Sequence, residues 1–270
     1  VVAIDDITDR KRAEEELKEA VEMKSQFIST VSHELRTPLT SMKEAVTIVL
    51  SGEAGRIKKD QAHFLDIAKR NINRLSRLIN DVLDFQRLDA GNMTFHMQEG
   101  ALDRTVEDAY NTMQPFAAKR GVHLIAEIEP GLPPITFDSD RIVQVVTNLV
   151  SNGIKFTPKG GSIRVRVHRR GEHILIQVSD TGLGIPREAL PRIFERFYRV
   201  RRPGKEIQGT GLGLPIVSRI INSHGGRIDV ESEPDKGTTF TVSLPIKQTD
   251  APDLLPQQTD EHLEATLHES

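Results

Sequence analysis

From Leu17 to Val49 the apolar positions alternate at intervals of four and three: Leu17, Val21, Lys24, Ile28, Val31, Leu35, Pro38, Met42, Ala45 and Val49, with Lys24 and Pro38 the imperfect members. That spacing predicts one long helix with an apolar seam, running to about Leu50. Thr8 is its candidate N-cap, ahead of a run of charged helix formers. The stretch SGEAGRIKKD then breaks the pattern with two glycines. A second helical run, about 60–88, has a wider stripe through Phe64, Ala68, Leu75, Leu78, Val82 and Phe85, flanked by Ile67, Ile72 and Ile79. It stops at DAGN, where Gly91 suits a C-terminal cap. Two helices joined by a short loop make an antiparallel hairpin. A lone hairpin cannot bury stripes this wide, whereas two hairpins from two chains can. A homodimeric four-helix bundle is the expectation.

From about Asn92 the rhythm changes. Short β-like runs (MTFHMQ, VHLIAEI, SIRVRVHRR, HILIQVSD, GRIDVESE and TTFTVSLPI) alternate with helical patterns near 102–120, 139–156 and 211–224. The pattern predicts an α/β layer structure of about 150 residues. After Pro245 come prolines and acids with little periodicity, so a mostly disordered tail is expected. No internal repeat is present.

Composition narrows the classes. A chain of 270 residues suggests about two domains. No apolar run approaches the ~18 residues of a membrane span, and no signal peptide is recognisable. The first residue is Val1, so a fragment is expected, with room for a membrane span upstream. Cysteine is absent, which removes disulfides and thiolate metal sites and fits a reducing compartment. The net charge is −3, but residues 248–270 hold six acids and no Lys or Arg; the rest carries 36 bases against 33 acids, or +3. That is too mild for a nucleic-acid binder.

Three places carry candidate chemistry. His33 lies between Val31 and Leu35 and projects about 200° round the helix from Val31, away from the seam. Thr37 shares its face and Glu34 follows it. An exposed imidazole with a carboxylate nearby can act as a nucleophile, but the same description fits an ordinary surface histidine. Pro38 argues for a use, because a helix-interior proline costs on the order of 3 kcal/mol and bends the helix. The second place is DSDRIVQVVTNLVSNGIKFTPKGG. Ile142, Val145, Val146, Leu149 and Ile154 form one face, and Asn148, Asn152 and Lys155 fall opposite. Mid-helix asparagines cost propensity without gaining packing. They read either as a solvated face or as ligand-facing groups, an amide oxygen suiting Mg2+ and a lysine suiting phosphate. The third is a pair of glycine segments, DTGLGIP after a strand ending at Asp180, and QGTGLGLPIV opening the last helix. Glycines admit close backbone approach, and free N–H groups at a helix start hold phosphate. Neither segment is a Walker loop or a convincing dinucleotide fingerprint. Between them IFERFYRVRRPGKEIQ reads as a lid.

With these residues in view the chain, from about Thr8 to Ile246, resembles the histidine protein kinases of two-component signalling. SHELRTPL resembles the phosphoacceptor box, NLVSNGIKFT the asparagine box, DTGLGIP the first glycine box, FERFYRV the phenylalanine box and GTGLGL the second glycine box, in the family's order. The resemblance implies an α+β chain: an antiparallel hairpin forming a dimeric four-helix bundle, then a two-layer α/β sandwich of the gyrase, Hsp90 and MutL type. It implies a PAS-like remnant at 1–10, a signalling coiled-coil linker at 11–24, a dimerisation and phosphotransfer domain at 25–91, an ATP-binding domain at 92–247 and an acidic tail at 248–270. His33 would accept the γ-phosphoryl group of ATP, Glu34 its proton, and Thr37 would position water for dephosphorylating the partner. Asn152 would ligate Mg2+ with Asn148 beside it, Lys155 and Arg199 would contact phosphates, and Asp180 would bond the adenine amino group. Gly182 and Gly184 would shape the adenine pocket. Gly209, Thr210, Gly211, Leu212 and Gly213 would bind the nucleotide from the lid's far end. Phe194 and Phe197 would anchor the lid by packing. Pro215 stands where many relatives have alanine, in a first turn that tolerates it.

The implied activity is autophosphorylation of His33, transfer to an aspartate of a response regulator receiver domain, and a phosphatase activity. A bend near Pro38 would help the two domains change their arrangement. The implied location of this segment is the cytoplasm, with no membrane contact of its own. Two other readings compete: an ATPase of the same fold driving conformational work, which leaves SHELRTP without a role, and a non-catalytic dimeric scaffold, which predicts lost asparagines or glycines.

Overall fold

The computed structural model describes residues 23, 30–32, 34–89, 93–200 and 209–247. His33, the 1–10 remnant, the linker apart from Met23, Gly91 and the 248–270 tail lie outside the described residues.

The hairpin consists of α1, residues 34–51, and α2, Lys59–Asp89. Helical backbone continues through Pro38, although its ring removes the N–H that would reach the carbonyl of Glu34. Within one chain the two helices meet over a thin core of Leu39, Ile79 and Leu83, with Ile72 against it. Arg36 Nη2 donates to Asn80 Oδ1 at 2.9 Å across the pair. The heptad seam is not what they share. Val31, Leu35 and Met42 remain 38%, 45% and 53% exposed. The intrachain contact uses Leu39, one position round from Pro38, and leaves the seam for another surface.

The second unit has helices α3 (Leu102–Arg120), α4 (Ser139–Phe156) and α5 (Gly213–Ser223) and strands β1 (Gln98–Gly100), β2 (His123–Ile128), β3 (Ile135–Phe137), β4 (Ser162–Arg170), β5 (His173–Asp180), β6 (Arg227–Glu233) and β7 (Gly237–Pro245). Five strands form one sheet in the order β2-β4-β5-β7-β6, parallel at β2–β4 and antiparallel elsewhere. Alternation sets its faces: Ile163, Val165 and Val167 of β4 are buried while Arg164 and Arg166 point away and pair with Glu127. The buried face meets the apolar sides of α4 and α5, including Ile142, Val146, Leu149, Ile216 and Ile220. This is the two-layer sandwich that the sequence led us to expect.

One strand differs from expectation. MTFHMQ has the alternating burial of a strand, yet only from Gln98 does the chain enter a ladder. Its partner is β3, three residues long, registered from Gln98–Phe137 to Gly100–Ile135. Past Phe137 the chain turns into α4, so residues before Gln98 have no partner backbone. That turn is tightly specified. Asp138 Oδ1 caps α4 by accepting from the Arg141 N–H at 3.1 Å, and Oδ2 accepts from the His96 N–H at 2.9 Å. The Asp138 N–H donates to Nε2 of buried His224 at 3.0 Å. His224 Nδ1 therefore carries the proton and donates to the Ile220 carbonyl at 2.7 Å. One histidine thus fastens the end of α5 to the start of α4.

Candidate nucleotide site

A cavity of about 360 Å3 opens where α4, the end of β5, the start of α5 and the segment before it converge. From α4 it takes Asn148, Asn152 and Lys155, the polar face of the helix. These side chains are half-buried rather than solvated, so the propensity the two asparagines cost is offset by a place in the site. Asp180 enters from the end of β5, and Gly184 and Ile185 from the turn after it. Arg199, Gly209, Thr210, Gly211 and Gly213 close the far side.

Asp180 is held by its own turn: Oδ1 accepts from the Gly182 N–H at 2.8 Å. Burial raises its pKa, and hydrogen bonds from the backbone at Gly182 and Thr238 oppose the rise. A carboxylate this enclosed suits a single donor from a ligand. Gly184 has φ +60, and a Cβ there would collide with the Glu233 carbonyl oxygen. Only glycine lets this turn lie against the end of β6.

Lys155 has its pKa lowered to about 8, first by burial and then by the positive charge of Arg199. Its ammonium lies 4.7 Å from the ring centroid of Phe156. Backbone of the lid passes close by, since a Cβ on Gly209 would stand 2.7 Å from Nζ. Two cations crowding a concave wall are the electrostatic complement of a phosphate chain.

The lid's two ends meet at its base. The Phe197 N–H donates to the Gly211 carbonyl at 3.0 Å. Gly211 has φ +73, and a Cβ there would stand 2.7 Å from Phe197 Cα. Phe194 is partly buried against the core. Phe197 departs from the packing expected of it: its ring is 64% exposed and its backbone has φ 59. It ties the lid through its main chain, not its ring. Lid residues 201–208 lie outside the described residues.

The remaining expected residues fall around this centre. Gly182 acts through its bond to Asp180. Leu212 is buried, and its N–H donates to Thr210 Oγ1 at 3.1 Å. Glu34 and Thr37 are exposed on α1, apart from this cavity. The structure also brings in residues that the sequence did not single out for this site. Arg74, Arg77, Leu78 and Asp81 of α2 line the same cavity. Thr210 Oγ1 donates to Asp81 Oδ2 at 3.1 Å, and Gln144 Nε2 to Asp84 Oδ2 at 2.7 Å. Their spacing of three and four on one helix face is visible in the sequence, but it reads there as a solvated charged face.

Two family models match the chain: the His Kinase A (phospho-acceptor) domain over residues 23–91, and the histidine kinase-, DNA gyrase B- and HSP90-like ATPase over residues 137–248. The chain belongs to the sensor histidine kinases of two-component signalling. Among its relatives, Drug sensory protein A of Synechocystis is 39% identical over 92% of this chain and 38% of its own length. Sensor histidine kinase WalK of Bacillus subtilis is 32% identical over 92% of this chain and 40% of its own. The chain thus spans about two fifths of these curated relatives. The crystal structure of full-length ShkA in complex with AMPPNP superposes with a TM-score of 0.68 at 29% identity, over 84% of this chain and 47% of that one.

Proposed function

We propose that this chain binds ATP with Mg2+ in the α4–β5–α5 cavity and transfers the γ-phosphoryl group to His33. The observation that carries the reading is the convergence of Asn148, Asn152, Lys155, Asp180 and both ends of the lid on one cavity. Asp180 accepts the adenine amino group, in a pocket shaped by Gly182 and Gly184. Lys155 and Arg199 meet the phosphates, and the Gly209–Gly213 segment supplies backbone N–H groups. Asn152 and Asn148 offer amide oxygens at the same wall. Mg2+ takes one or two protein ligands and completes its shell with phosphate and water. Bound there, it would neutralise developing phosphate charge.

An imidazole nitrogen of His33 attacks the γ-phosphorus, the bond to the β–γ bridging oxygen breaks, and ADP leaves. Glu34 takes the imidazole proton. Phosphoryl transfer needs mainly alignment and charge neutralisation, and these residues are of the types that supply them. The phosphoryl group then passes to an aspartate of a response regulator receiver domain. In the reverse sense of signalling, Thr37 positions water for dephosphorylating that partner. The chain acts as a homodimer through the exposed seam of Val31, Leu35 and Met42, with its domains divided at 25–91 and 92–247 and working in the cytoplasm. No helix among the described residues is long and apolar enough to cross a membrane.

The test is incubation with γ-labelled ATP and Mg2+. Acid-labile, base-stable label that His33→Gln abolishes is the expected result. Intact ATP binding with no label would overturn the kinase reading.

A further inference from the structure

The cavity is not built by the ATP-binding domain alone. One wall is α2 of the hairpin, where Arg74, Arg77, Leu78 and Asp81 follow one another along a single helix face. Asp180 lines the cavity from the end of β5. Gly209 lies against the Lys155 ammonium, Thr210 follows it, and Thr210 Oγ1 donates to Asp81 Oδ2 at 3.1 Å. Arg77 is one turn from Asp81 and Arg74 about two. The arginines therefore share the cavity with Lys155 and reach it from the hairpin side.

The register of this wall is set by two acids. Besides the Asp81 bond, Asp84 accepts from Gln144 Nε2 at 2.7 Å and lies 3.6 Å from Arg141 Nη1. Asp81, Asp84 and the arginines share one stretch of α2, so docking through the acids carries the arginines to the cavity. Arg77 Nε donates to the Asn73 carbonyl at 3.4 Å and its charge acts on Asp81. Both residues are exposed and line the cavity. Four cations, Arg74, Arg77, Lys155 and Arg199, line the cavity against two carboxylates, Asp81 and Asp180. That surplus of positive charge favours a bound polyanion.

We propose that Arg74 and Arg77 bind the terminal phosphate of the nucleotide from the hairpin side, so that this docked arrangement of α2 distinguishes ATP from ADP. The inference rests on the ATP reading above. A guanidinium fork matches a terminal phosphate in two parallel hydrogen bonds. ADP ends one phosphate short of it. Loading with ATP therefore draws α2 and the ATP-binding domain together, and loss of the terminal phosphate releases them.

The test measures Kd for ATP and ADP, each with Mg2+, on the 270-residue chain, on Arg74→Gln/Arg77→Gln, and on Lys69→Gln/Arg70→Gln as a control that removes equal charge from α2 outside the cavity. The expected result is a loss of roughly tenfold in ATP affinity for the arginine pair, with ADP affinity within about twofold of the parent and the control unchanged. Equal loss for both nucleotides, an equal effect of the control, or no loss at all would each overturn the inference. A parent chain that binds neither nucleotide would instead overturn the ATP reading itself, so the two failures are distinct.

Discussion

Thr210 donates its hydroxyl to the carboxylate of Asp81 across 129 positions of sequence, at 3.1 Å. The bond joins the helical hairpin to the end of the lid. Asp81 has its pKa raised by burial, with Thr210 and Arg77 opposing the rise and Asp84 adding to it. Replacing Asp81 by alanine should loosen the docking of α2 by about 1.5–3 kcal/mol, the worth of a hydrogen bond to a charged group. Amide exchange at 210–213 should then accelerate by roughly one to two orders of magnitude, while exchange in β4 and β5 stays slow. Unchanged protection at 210–213 would show that the bond does not hold the domains.

Lys155 gives nucleotide binding a pH dependence in the alkaline range. Its pKa of about 8 in the free protein must rise when a phosphate arrives beside it. Affinity should therefore be flat below pH 8 and fall as pH rises above it, by at most about tenfold per unit. Calorimetry in buffers of different ionisation heat should detect proton uptake on binding in that range. Lys155→Arg, whose charge does not titrate there, should flatten the profile; an identical slope in that variant would assign the titration elsewhere.

Asp180 couples stability to recognition. Its folded-state pKa is raised, so the stability linked to its protonation is present below the ordinary carboxylate value and lost as pH rises through the folded one. At neutral pH the buried charge is a cost. Asp180→Asn keeps an oxygen for the Gly182 N–H and removes that charge. It should raise the apo melting temperature by about 2–4 °C for each kcal/mol relieved while weakening ATP binding roughly 10–100-fold. A variant that loses stability and affinity together would point to simple damage.

The exposed seam predicts an oligomer. Met42 is 53% exposed in the single chain. Across a two-fold axis it would be buried twice, each copy contributing about 1.5–3 kcal/mol. Met42→Asp should shift the sedimentation profile toward monomer at low micromolar concentration, with the β-sheet domain melting as before. A parent chain that sediments as a monomer would remove the basis for the dimer.

His224 makes the ATP-binding domain sensitive to mild acid. Burial lowers its pKa from 6.5, opposed by the Ile220 carbonyl and Asp138. Stability is full above the unfolded value and declines as pH falls from about 6.5 toward the lowered one, because the unfolded chain takes up the proton first. Denaturant midpoints should fall over that interval. His224→Leu should remove this part of the slope and cost about 1–3 kcal/mol for the unpaired Asp138 N–H.

Helical spacing made the α4 face legible. Asn148, Asn152 and Lys155 recur at four and three, and the low propensity of the two asparagines marks them as costly. Asp180 was legible as the polar end of an apolar strand. Arg74, Arg77 and Asp81 were not, because charges on an amphipathic helix ordinarily face water, and only the docked position of α2 gives these another surroundings. Strand β3 escaped because three residues behind Pro133 and Pro134 carry too little periodicity. The resemblance implied packing for Phe197, which is 64% exposed with φ 59; a positive φ has no signature in a non-glycine residue. His224 attracted no reading, since a lone histidine at a helix end declares neither partner.

The bond between the Phe197 N–H and the Gly211 carbonyl has a bearing on how the lid can change over evolution. It makes the lid a closed ring with a fixed gate, like a loop of thread pinched at its neck. The entropy of closing such a ring grows only with the logarithm of its length, about 0.6 kcal/mol for each doubling. Residues can be inserted or deleted between Phe197 and Gly211 at small thermodynamic cost, while the two residues that make the bond admit almost no change. Length variation is thereby separated from the pairing that closes the loop.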